Sequence, residues 1–137
     1  MRIAFHRSGE SHDRIYVNLD DGSELGWRWP AGGPPHDLMH YAVETELGLE
    51  GGFWGLTAAG VSLDALDDEQ AAGLNEAEAI VNAATSAIAI PGYARDDACP
   101  EGVDPTRFDA ACDAAAEWLD RWRELAPGGT LVVEYPR

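Results

Sequence analysis

The sequence predicts an α+β fold: an antiparallel four-stranded sheet, three strands from the N-terminus and one from the C-terminus, with about four helices packed on one face. Three observations predict it. The first 30 residues alternate apolar and polar side chains, the signature of strands with one buried face. The middle of the chain switches to a spacing of three and four, which is helical. The last residues alternate again, and a strand returning to pair with the N-terminal ones is the simplest way to satisfy its backbone.

The elements follow in order. Ile3 and Phe5, then Ile15, Val17 and Leu19, then Leu25, Trp27 and Trp29 mark the buried parities of three strands. Ser8 to Asp13 forms a loose first turn. Asp20-Asp21-Gly22-Ser23 forms a tight second one, because Asp-Gly tolerates the positive φ a short hairpin needs. The prolines and glycines of 30–35 break the pattern. A helix is predicted from about Pro35 to Leu47 with Gly48 as its stop. Phe53 to Val61 reads as one or two helical turns. Asp67, with Gln70 three residues on, forms a capping box for the next helix, whose stripe is Leu74, Ala77, Val81, Ala84 and Ile88. Pro91-Gly92 ends it, and Tyr93 to Asp104 reads as a polar loop. Asp104-Pro105 opens the last helix, with Phe108, Cys112, Ala115, Leu119, Trp122 and Ala126 on its buried side. Pro127-Gly128-Gly129 stops it before a final strand at Thr130 to Tyr135.

A chain of 137 residues with 45% hydrophobic content suits one domain that closes a core without disulfide or metal staples. Nine basic residues, all arginine, against 25 acidic ones give a net charge of −16. A field this negative repels phosphate backbones and anionic membranes, so no nucleic acid and no membrane are expected as partners. The N-terminus lacks the apolar stretch of a secretory signal, and Cys99 and Cys112 match no metal or redox spacing. A cytoplasmic, reduced protein is the expectation.

The segment PHDLMHYAVE (Pro35–Glu44) is the one dense cluster of chemical residues. His36, His40 and Glu44 are spaced by four, so on one helix their side chains share a face. Two imidazoles and a carboxylate in that arrangement are candidate ligands for Zn or another divalent metal. Asp37 is the candidate catalytic residue, as base or as an orienting partner. The run imitates the H-E-x-x-H of metalloproteases with Asp in place of Glu. The shorter side chain withdraws the carboxylate by about 1.5 Å, which disfavours peptide hydrolysis. On a helical projection Leu38, Met39, Ala42, Val43 and Leu47 form the apolar arc. His36 and His40 sit at its edge, with Asp37 and Glu44 further out. The same pattern suits two half-buried histidines bonded to carboxylates or carbonyls. A helix start at or before Pro35 keeps both rings on one face; a start at Asp37 does not. His6 and His12 are further available donors.

The five tryptophans are core material by default, and an aromatic-walled pocket for a small ligand is the alternative use of them. There is no phosphate-binding loop, no G-x-S-x-G and no calcium-loop spacing.

Read together, PHDLMHYAVE, the LGL of Leu47–Leu49, the GFWG of Gly52–Gly55 and the AAG of Ala58–Gly60 resemble a group of small bacterial proteins of the high-GC Gram-positive type. Their pattern, with an N-terminal hairpin and a C-terminal strand like Leu131 to Pro136, covers most of the chain. The resemblance implies one compact domain and attaches no activity. Two functions are thus expected: a divalent-metal-binding protein using His36, His40 and Glu44, or a non-enzymatic acidic protein that docks on a protein partner or forms a homo-oligomer.

Overall fold

The computed structural model describes residues 1–92 and 94–136. Strands β1 (Arg2–His6), β2 (His12–Asn18) and β3 (Glu24–Pro30) are followed by helices α1 (His36–Leu47), α2 (Phe53–Ala58), α3 (Asp68–Ala89), α4 (Arg95–Ala98) and α5 (Pro105–Glu124). Strand β4 (Thr130–Glu134) comes last. The sheet is antiparallel with the order β3-β2-β1-β4, so the C-terminal strand pairs with the first, Ile3 opposite Val133 and also opposite Val17. The α+β architecture matches the expectation, with one addition. The polar segment before Asp104 holds the single turn of α4; Tyr93 lies outside the described residues.

Local signals explain the boundaries. The Asp21 carboxylate accepts from the Ser23 backbone and hydroxyl, and Gly22 adopts φ 87°, which closes the β2–β3 turn. The capping box forms as its spacing predicts, with Gln70 N donating to Asp67 and Asp67 N to the Gln70 side chain. Asp104 caps α5 through Thr106 N. Two arginines terminate helices from a distance. Arg7 donates to the Trp122 and Leu125 carbonyls at the end of α5, and Arg107 to the Leu47 carbonyl at the end of α1. A cation there satisfies orphan carbonyls and suits the helix dipole.

Ile3, Phe5, Ile15, Val17 and Val133 face the helices and join Leu38, Val43, Val81, Phe108, Cys112 and Trp122 in one connected core. On α3 the buried stripe is Ala77, Ile80, Val81, Ala84 and Ala87; Leu74 and Ile88 lie only at its edges. Cys99 and Cys112 are unpaired. Burial and the nearby carboxylates of Asp109 and Asp113 push the Cys112 thiol up to about 11 against the opposing pull of Arg95, so it behaves as a small apolar side chain. No helix among the described residues is long and apolar enough to cross a membrane.

Helix α1 departs from the amphipathic expectation. Every residue from Asp37 to Glu44 is buried, including the two acids placed outside the apolar arc. The reason is position: α1 packs against α5, α3 and α2 and lies on the sheet, so it has no solvent face along that stretch. Polar groups on a helix so enclosed must find partners inside the protein, and those partners build the site.

Candidate metal centre

Pro35 occupies the N-cap position and His36 is the first helical residue, so the helix begins early enough to keep both histidines on one face. Their rings lie 4.7 Å apart at 83°. Both point at Glu78 of α3. His36 Nε2 is 2.9 Å from Glu78 Oε1, and His40 Nε2 is 2.6 Å from Glu78 Oε2. His36, His40 and Glu78 form a group whose donor atoms all lie within 4.8 Å of one another.

The third member of this group is Glu78 and not Glu44. Glu44 is fully enclosed and its oxygens are already committed. Oε1 accepts from Trp54 N at 2.9 Å; Oε2 accepts from Phe53 N at 2.9 Å and meets His40 Nδ1 at 2.6 Å. The two amides are the free N–H groups at the start of α2, which a carboxylate satisfies well. Gly52 makes room: a Cβ there would sit 2.6 Å from Glu44 Oε1. Glu44 therefore acts on His40 from behind, holding Nδ1–H and leaving Nε2 to face Glu78. A carboxylate behind a histidine in this way fixes the ring's orientation and tautomer.

Asp37 also has a partner other than the one expected. Its Oδ2 accepts from Trp27 Nε1 of β3 at 2.9 Å, and its backbone carbonyl accepts from Trp54 Nε1 at 2.8 Å. Among the described residues it makes no side-chain hydrogen bond to either histidine. His6 and His12 stay at the first hairpin, against Thr130 and Ser11 respectively, and do not join the group.

The electrostatics follow the geometry. Burial works against a charged His40 ring, but the Glu44 hydrogen bond and charge, and then those of Glu78, overcome it, so its pKa is raised. Burial likewise works against the Glu78 carboxylate, and the hydrogen bond from His36 and the charge of His40 outweigh it, so its pKa is lowered. Burial dominates at Asp37 and raises its pKa despite the Trp27 hydrogen bond and the two imidazoles.

Exposure divides the cluster. The His40 and Glu44 side chains are 3% and 0% exposed, those of His36 and Glu78 31% and 44%. The inner half is fixed; the outer half faces solvent. Trp29 stacks on His36 with 13° between the planes, and Phe53 packs against His40. No local pattern singles out Glu78. Its one signal is an acid directly after Ala77 and three residues before Val81, at the rim of an apolar stripe.

No family model, curated protein or solved structure matches the chain. The site's own geometry therefore carries the functional reading.

Proposed function

We propose that the protein binds one divalent transition-metal ion of the zinc class through His36 Nε2, His40 Nε2 and the Glu78 carboxylate. The carrying observation is the convergence of these three donors from two helices, with Glu44 holding the far nitrogen of His40. Imidazole and carboxylate donors suit zinc and its neighbours. Tetrahedral zinc at its usual bond lengths keeps donors about 3.3 Å apart, so the 2.9 and 2.6 Å contacts of Glu78 with the two imidazoles must open to admit an ion. The half-exposed Glu78 side chain is the part free to move. Three protein donors leave a coordination position toward solvent, the arrangement in which zinc lowers the pKa of a bound water. Asp37, turned toward Trp27, takes no part as a ligand.

A second reading is favoured by the short hydrogen bonds themselves. A doubly protonated His40 between Glu44 and Glu78, at 2.6 Å from each, ties α1 to α3 without any metal. Elemental analysis and zinc calorimetry on untagged protein separate the two. The metal reading expects about one equivalent, falling below a tenth in His36→Ala, His40→Ala and Glu78→Ala. Less than a tenth of an equivalent in the unaltered protein, with no calorimetric saturation, leaves the proton-bearing tie alone.

A further inference from the structure

Strand β3 is an edge strand of the sheet. Its helix-side residues Leu25, Trp27 and Trp29 are only partly covered, and Leu25 is 45% exposed. Across from them stand Phe53 of α2 and the segment after it, where Leu63 is 38% exposed. Between the two walls runs a groove of about 880 Å³, within the range of about 300–1,000 Å³ typical of small-molecule sites. Two of the few large apolar side chains exposed on the molecule, Leu25 and Leu63, stand on its rim.

The groove also holds a built polar group. Asp37 lines it, yet is nine-tenths buried. Trp27 Nε1 occupies Oδ2, and among the described residues Oδ1 receives no hydrogen bond. The position of Trp27 is itself fixed, since its ring stacks on Trp54 at 6.0 Å and meets Phe53 edge-on at 5.9 Å. A carboxyl oxygen is thus held rigidly beside aromatic faces. The other acid of the lining is Asp64. The one basic residue, Arg28, belongs by strand parity to the opposite face of the sheet, where its cross-strand partner is Arg14.

We propose that this groove binds a small organic molecule with a flat apolar body and a protonated amine, the amine donating to Asp37 Oδ1 and the body lying against Trp27, Trp29 and Phe53. Charge selects the amine over an acid: the lining offers carboxyls, the net charge is −16, and indole faces attract cations. The size of the groove, and a single anchoring carboxyl, select a small molecule over a protein segment. The inference stands apart from the metal reading, since none of its contacts uses Glu78 or a histidine nitrogen.

The test is a titration of the ¹⁵N-labelled protein with tryptamine and, in parallel, with 3-indolepropionate, reading the indole N–H signals of Trp27 and Trp29. Saturable one-site shifts with tryptamine in zinc-free protein and at least tenfold weaker binding of the acid are expected. Asp37→Asn keeps an acceptor for Trp27 and should weaken tryptamine at least tenfold. Leu25→Arg, an exposed change that spares the core, should do so as well and serves if the Asp37 variant does not fold. Absence of saturation by tryptamine, equal binding of the two probes, or a concentration-dependent dimer by light scattering that removes the Trp29 response would overturn the proposal. Failure of zinc to bind would leave it standing.

Discussion

The two carboxylates that flank His40 occupy opposite ends of one hydrogen-bonded chain and differ in every respect but chemistry. Glu44 is sealed among α1, α2 and the core and accepts from two backbone amides and one imidazole. Glu78 lies at the surface of α3 and, among the described residues, its side chain meets only the two imidazoles. An acid with three fixed donors in the interior is part of the fold. An acid whose only partners are two metal-competent nitrogens, with solvent on its other side, is free to trade a proton-mediated contact for a metal-mediated one. The difference teaches that spacing along a helix identifies neighbours but does not assign roles.

The comparison breaks most sharply at its inner end. Glu44→Ala strands the Phe53 and Trp54 amides and His40 Nδ1 in the interior, and a loss of about 3–5 kcal/mol is expected in urea unfolding. Glu44→Gln keeps shape and part of the bonding and should cost visibly less. An equal loss for both would show that the charge and second acceptor oxygen, which both variants remove, carry the whole effect, and that side-chain volume does not matter there.

Next in size is Gly52→Ala. Its φ of −81° suits alanine, so the only objection is the Cβ driven against Glu44. Displacing Glu44 loosens His40, and zinc affinity should fall by about 10–100-fold. Unchanged affinity in a folded variant would mean that Glu44 does not orient the ring.

Glu78→Ala sharpens the contrast from the other side. Zinc retention should be lost, while metal-free stability falls by no more than about 1 kcal/mol, as befits a half-exposed pair. A loss as large as that of Glu44→Ala would make the two carboxylates equivalent and the division wrong.

The smallest effect is a slope. The folded-state pKa of His40 lies above 6.5, its ordinary value. The imidazolium's contribution to stability is therefore complete below about pH 6.5 and is lost as pH rises through the raised value. Metal-free protein should lose stability over that window, and His40→Gln should not. Zinc competes with the proton on Nε2, so the stability it adds should grow over the same window. Urea midpoints from pH 6 to 8.5, with chelator and with zinc, check both signs.

Most of the fold was legible because its determinants are local. The alternation of Ile3 and Phe5, the Asp-Gly turn, the Asp67/Gln70 box and Asp104-Pro105 each act within a few residues. The histidine pair was legible for the same reason. Glu44 is legible as a neighbour of His40, but its other partners are not, because the amides that hold it come from α2, across a loop. Glu78 is not legible, because the register of α3 against α1 is set by packing rather than by any periodicity in either helix. The burial of Asp37 and Glu44 is not legible, because a helical projection assumes a solvent side, and α1 has none there. GFWG resolves into separate physical duties. Gly52 clears space for a carboxylate, Phe53 and Trp54 supply its amides, and the Trp54 indole pins the backbone at Asp37.

The most direct measurement of the central claim is long-range ¹H–¹⁵N correlation of the His40 ring during a zinc titration. Nδ1 should stay protonated throughout, held by Glu44. Nε2 should exchange its proton for the metal at one equivalent, with His36 Nε2 shifting in step. Zinc on His40 Nδ1, or rings that do not respond at all, would contradict it.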